Sequence, residues 1–175
     1  MTATGRLDVR FAGAGGQGIV MAGEVLAAAV VRMGGSAAHS KAYGPASRGG
    51  ASRSDVVVAG DTVGFPLVRS PNVVVALTDE AYRKYGHDHA ADAIVIVDVD
   101  VDAQRNGALV VPIVETARRI VGTDVASGVV GLGVLSRSLD VFDVDVLRST
   151  IAERVPAALE DANLEAFAAG RDMVG

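Results

Sequence analysis

The chain has 175 residues, half of them hydrophobic, a formal net charge of −5 and no cysteine. That length suits one folded domain, burying roughly two-thirds of its unfolded surface. The missing thiols exclude disulfides, a cysteine nucleophile and thiolate-held zinc or iron–sulfur clusters within this chain; the acidic balance and the 4% aromatic content argue against a nucleic-acid partner.

Residues 7–12 alternate apolar side chains at Leu7, Val9 and Phe11 and read as a first strand. Gly13-Ala14-Gly15-Gly16-Gln17-Gly18 follows. A helix is expected next, because Ile19, Ala22, Gly23, Leu26, Ala29, Val30 and Met33 fall at helical spacing. Gly23 inside it costs roughly 1 kcal/mol against alanine, which implies close packing of helix on sheet. Gly34-Gly35 stops the helix, and residues 36–40 form a short strand. Residues 41–52 then read as a loop rich in hydroxyls, glycine and cations. A strand is expected at 55–59, with Gly60-Asp61 turning into Thr62-Val63.

The apolar runs 73–77 and 93–97 suit strands buried on both faces, as in parallel sheets. Between them, 79–85 reads as a short helix capped by Thr78 or Asp79. Residues 108–111 make one more strand, and Pro112 opens a helix through Val121. The last third reads as helical: Ser127 capping 128–138, Asp143 or Asp145 starting a helix to Val155, and a final segment from Pro156 to Ala169 that ends at Gly170. The expectation is an α/β fold: a single Rossmann-like three-layer domain over residues 1–175, with a mostly parallel sheet and a helical C-terminal third.

Residues 1–8 lack an apolar core, so no secretory signal is expected. The run 19–31 is broken by Glu24 and is too short for a bilayer. A cytoplasmic protein without membrane attachment is expected.

The glycine loop places free backbone N–H groups at a helix N-terminus, a position that suits a phosphate, a carboxylate or a partner's backbone. Gly13, Gly15 and Gly18 satisfy the G-x-G-x-x-G pattern, and Gly16 and Gln17 enlarge it. A dinucleotide site also needs a carboxylate at the end of the second strand. That region reads Ala38-His39-Ser40-Lys41, which disfavours NAD and leaves NADP open through Lys41 or His39. In the second loop, Arg48-Gly49-Gly50 puts a guanidinium beside exposed amides, a pairing that holds a phosphate or docks a carboxylate. Residues 1–53 carry a net charge of +4 and 11 of the 21 glycines, which favours an anion-facing or partner-facing edge. His87-Asp88-His89 supplies too few ligands for a metal site. Asp98, Asp100 and Asp102 fit a solvated strand end better than a magnesium cradle. No nucleophile elbow accompanies His39. Neither catalytic nor metal-binding residues are assigned.

Taken in order, several blocks resemble the gamma subunit, or gamma domain, of the 2-oxoacid:ferredoxin (acceptor) oxidoreductases: residues 13–19, the run 43–52 with its following strand, and the strand 73–77 leading into Thr78-Asp79-Glu80-Ala81. Weaker blocks are Gly131-Leu132-Gly133 and residues 163–170. The resemblance implies a subunit of an enzyme that oxidatively decarboxylates a 2-oxoacid, with 2-oxoglutarate and pyruvate the leading substrates, to an acyl-CoA. It implies alpha, beta and ferredoxin-like delta partner subunits. Those partners hold thiamine diphosphate, magnesium and the iron–sulfur clusters, while coenzyme A lies at this chain's edge. On that reading Gly13, Gly15, Gly16, Gln17, Gly18, Tyr43, Arg48, Gly49 and Gly50 form the functional edge, facing either a CoA phosphate or a partner's acidic group. Self-association of the isolated chain is left open. The rival readings are a stand-alone NADP-binding reductase and a non-enzymatic regulatory module.

Overall fold

The computed structural model describes residues 5–44, 50–102 and 107–175. Six strands form one sheet: β1 (Leu7–Ala14), β2 (Ser36–Ala42), β3 (Ala51–Ala59), β4 (Val73–Ala76), β5 (Ile94–Asp98) and β6 (Leu109–Val111), in the spatial order β2-β3-β1-β4-β5-β6. Strands β1, β4, β5 and β6 run parallel to one another, and β3 is antiparallel to both β1 and β2. The sheet is therefore mostly parallel, with β3 the single reversed strand. Antiparallel pairing needs no helical crossover, and β3 follows β2 in sequence as its neighbour in the sheet.

The helices are α1 (Ile19–Arg32), α2 (Asp79–Tyr85), α3 (Ile113–Val121), α4 (Ser127–Leu139), α5 (Val144–Arg154) and α6 (Glu160–Asp172). Because strand side chains alternate between faces, Val9, Phe11, Val56, Val73, Val75 and Ile96 share one face and build the main core with α1, α3, α4, α5 and α6. Ala12, Val74, Ala76, Val95 and Val97 share the other face, where α2 packs through Ala81 and Tyr82. The result is three-layered but lopsided. Among the described residues, five helices cover one face; α2, the irregular segment 60–72 and Val101 and Ala108 cover the other.

That thin face carries a buried ion pair. Arg10 donates to both Asp55 carboxylate oxygens at 2.7 and 2.9 Å, and each residue is 3% exposed. Arg10 also donates to the Tyr85 and Val68 carbonyls. One guanidinium thus ties β1 to β3, to the end of α2 and to segment 60–72.

Several local expectations change. Strand β3 begins at Ala51 rather than Asp55, because Ala51 to Ser54 pair with residues 11–14 of β1. Strand β2 extends to Ala42 by pairing with Arg53. Gly60 and Asp61 do not turn into a further strand; the chain leaves the sheet there. Ser127 is the first residue of α4 rather than its cap, and its buried hydroxyl has no hydrogen-bond partner among the described residues. Of the two candidates for each helix start, Thr78 rather than Asp79 caps α2 and Asp143 rather than Asp145 caps α5. Ala157–Leu159 make a short 3-10 turn before α6, and α6 runs through Gly170 to Asp172. Gly170 lies where α6 crosses α4; a Cβ there would collide with the Val130 carbonyl. The glycine is thus kept for close helix approach rather than as a stop.

Candidate functional site

The glycine loop joins β1 to α1 at the carboxyl end of β1, on the five-helix face. Gln17 organises it. Its Oε1 accepts from the Ala14 N–H at 2.8 Å, its own N–H donates to the Ala14 carbonyl at 3.3 Å, and the residue is 6% exposed. Gly13 makes room for that side chain, since a Cβ there would lie 2.7 Å from Gln17 Oε1. Gly13 and Gln17 therefore shape the loop.

Gly18 occupies the N-cap position of α1 with φ 71°, and no side chain caps the helix. A left-handed backbone favours glycine, and a Cβ at Gly18 would also collide with the Val125 carbonyl. The Gly128 N–H donates to the Gln17 carbonyl at 2.8 Å. The N-termini of α1 and α4 thus meet backbone to backbone.

Around this loop lies a cleft of about 260 Å³, lined by Ala14, Gly15, Gly16, Gly18, Ile19, Val20, Tyr43, Ser52 and Val125. Tyr43 is 63% exposed and stands at its mouth. The two glycine-bearing connections expected from sequence do converge: Gly15, Gly16 and Gly18 come from one and Tyr43 from the other, with Ser52 at the start of β3 beside them. Gly50 accepts from the Ser52 hydroxyl at 3.3 Å, at the base of the second connection. Arg48 and Gly49 lie outside the described residues. Ser52, Val20 and Val125 were missed. Ser52 belongs to an unexpected stretch of strand, and Val125 comes from a distant 3-10 turn, for which local sequence carries no signal.

The cleft combines amides at a helix N-terminus with apolar walls. It is smaller than the roughly 300–1,000 Å³ of clefts that enclose a drug-sized ligand, so it suits the phosphate end or another short part of a ligand held mainly elsewhere.

The side chains that kept NADP open are used otherwise. His39 bonds Ser54 Oγ at 2.8 Å, and Lys41 lies 4.0 Å from Glu24. Strand β3 also separates β2 from β1, so β2 is not the sheet neighbour of β1 as in a dinucleotide fold. Burial lowers the His39 pKa below its ordinary value. Lys41 and Arg154 add to this, and Glu24 and Asp55 oppose it.

The other clusters have structural roles. Asp98 is buried; its two oxygens accept from the Asp100 and Val114 N–H groups, so it caps the start of α3 from β5. His87 packs on the Tyr82 ring, and His89 Nδ1 lies 2.7 Å from the Ala90 carbonyl oxygen. Among the described residues no three His, Asp or Glu side chains gather as a metal-binding group, and no helix is long and apolar enough to cross a membrane.

The family model for pyruvate ferredoxin/flavodoxin oxidoreductase matches residues 8–173. The chain is 34% identical over 180 residues to the 2-oxoglutarate synthase subunit KorC of Methanothermobacter marburgensis, covering 97% of each chain. It is 37% identical over 147 residues to the ketoisovalerate oxidoreductase subunit VorA of Methanothermobacter thermautotrophicus, covering 82% of this chain but 31% of that longer one. Its fold superposes with a TM-score of 0.82 on the gamma subunit of a keto/oxoacid ferredoxin oxidoreductase from Geobacter sulfurreducens, at 33% identity, with 97% and 96% of the two chains covered. The chain therefore belongs to the pyruvate ferredoxin/flavodoxin oxidoreductase family.

Proposed function

We propose that this chain is the gamma subunit of a 2-oxoacid:ferredoxin oxidoreductase whose substrate is 2-oxoglutarate. Its near end-to-end similarity to KorC supports this most directly. The oxidoreductase converts the 2-oxoacid to an acyl-CoA and passes electrons to an iron–sulfur acceptor. Thiamine diphosphate would supply carbanion stabilisation and the clusters electron transfer, both in partner subunits, since a chain without cysteine has no thiolates to hold a cluster.

Within that assembly the cleft at Gly15, Gly16, Gly18 and Tyr43 takes a short part of coenzyme A. The α1 N-terminus orients an anionic group, and Tyr43 shields it from water at the mouth. Gln17 and Gly13 hold the loop in shape. Arg48, Gly49 and Gly50 belong to the same proposed edge through their place in sequence. The partners are alpha, beta and ferredoxin-like delta subunits, in the cytoplasm.

The test is purification of the tagged chain from its own cells without oxygen, identification of its partners, and assay of 2-oxoacid-dependent viologen reduction. Reduction driven by 2-oxoglutarate and CoA, in preference to pyruvate or 2-oxoisovalerate, is expected. Absence of both thiamine-enzyme subunits and activity would overturn the reading.

A further inference from the structure

Strands β1 and β3 pair from Leu7 opposite Val58 to Ala14 opposite Ala51. At that last pair each backbone N–H goes to a side-chain oxygen from outside the sheet. The Ala14 N–H donates to Gln17 Oε1 at 2.8 Å, and the Ala51 N–H donates to Glu80 Oε1 at 3.4 Å. Gln17 belongs to the glycine loop, and Glu80 to the first turn of α2.

Ala51 is where the second connection returns to the sheet, and both stems of that connection meet there. A Cβ on Gly44 would lie 2.7 Å from the Ala51 carbonyl oxygen, so the chain just after Tyr43 packs directly on the Ala51 backbone. Ser52, the next residue, donates its hydroxyl to the Gly50 carbonyl at 3.3 Å. Tyr43 and Ser52 both line the cleft. These two cleft residues therefore take their places from the Ala51 backbone.

Glu80 is suited to hold that backbone. Thr78 accepts from the Ala81 N–H at 3.3 Å and fixes the start of α2, and Ala81 is buried. Glu80 itself is exposed, and among the described residues the Ala51 N–H is its one hydrogen-bond partner. A hydrogen bond with a charged acceptor is stronger than a neutral one, whereas a change at one exposed side chain moves global stability little.

We propose that Glu80 is a positioning residue for the coenzyme A edge. Through the Ala51 N–H it holds Tyr43 and Ser52 at the cleft, as Gln17 holds the glycine loop through the Ala14 N–H. Glu80 does not line the cleft, so it acts through Ala51. The inference rests on the reading of the cleft given above.

The test compares Glu80→Ala, Glu80→Gln and Tyr43→Ala in the complete purified oxidoreductase. Removing the carboxylate is expected to raise the KM for CoA about threefold, with kcat and the 2-oxoacid KM little altered. Hydrogen exchange in the peptide containing Ala51 is expected to quicken, with melting unchanged. Glu80→Gln keeps an oxygen that can accept the Ala51 N–H and is expected to restore both the KM and the amide protection. An unchanged KM for CoA in Glu80→Ala, or no rescue by Glu80→Gln, while Tyr43→Ala raises that KM, would overturn the positioning role and leave the CoA edge intact. An unchanged KM for CoA in both Glu80→Ala and Tyr43→Ala would overturn both. A lowered melting temperature together with a fall in kcat would make Glu80 a general structural residue and overturn the positioning role.

Discussion

Gly128 donates its backbone N–H to the Gln17 carbonyl at 2.8 Å, joining two helix N-termini whose residues lie far apart in sequence. The cleft depends on this junction, because it fixes Val125 against the glycine loop. Gly18→Ala is expected to combine left-handed strain, about 1–2 kcal/mol, with collision against the Val125 carbonyl. Gly128→Ala would push on the Gly18 carbonyl without the backbone strain, and cost about 1–3 kcal/mol. Denaturant midpoints of the two variants check this, with Gly18→Ala the less stable.

Asp55→Ala would leave the Arg10 guanidinium buried without its carboxylate. Breaking a buried pair costs about 3–5 kcal/mol. Combining Arg10→Met with Asp55→Leu removes both charges and is expected to recover only part of the loss, because the Tyr85 and Val68 carbonyls lose their shared donor. Urea unfolding of the single and double variants checks the order.

Gly23→Ala reverses the usual helix rule. On an exposed helix the change gains up to about 1 kcal/mol. Here the new Cβ would collide with Ser54 Oγ and lie 2.8 Å from His39 Nε2. A lower melting temperature is expected, partly restored by adding Ser54→Ala.

His39 gives a pH signature. Its folded pKa is lowered, chiefly by burial, with Lys41 and Arg154 adding to Glu24- and Asp55-opposed desolvation. The unfolded imidazole, with a pKa near 6.5, takes up its proton first as pH falls. The unfolded state then binds more protons, so this contribution to stability is complete above that value. It declines as pH falls toward the folded pKa and levels off below it. His39→Gln is expected to flatten stability against pH in this window. An NMR titration of the native imidazole should show its midpoint below the ordinary value.

Tyr43→Ala tests the cleft in the intact complex. The side chain is mostly exposed, so melting should be unchanged. Loss of one aromatic contact, about 1 kcal/mol, is expected to raise the KM for CoA about fivefold with kcat and the 2-oxoacid KM little altered. An unchanged KM for CoA would remove Tyr43 from the CoA edge.

The sequence by itself determined the elements whose cause is local. Alternation at Leu7, Val9 and Phe11 marked β1, the helical spacing from Ile19 marked α1, and Thr78 and Asp143 marked two helix starts, because caps and periodicity are read within a few residues. It also located both glycine connections and excluded cluster ligation through the lack of cysteine. Tertiary structure decided what depends on distant partners. Strand β3 runs reversed between β1 and β2, and starts at Ala51, because pairing with β1 satisfies backbone groups that local propensity leaves undefined. That insertion took His39 and Lys41 away from the glycine loop. Val125 reached the cleft and Gly128 the glycine loop through backbone contacts across the fold, and backbone groups are the same in every residue. Gly170 became a helix crossing instead of a helix end for the same reason: what a glycine permits depends on what approaches it.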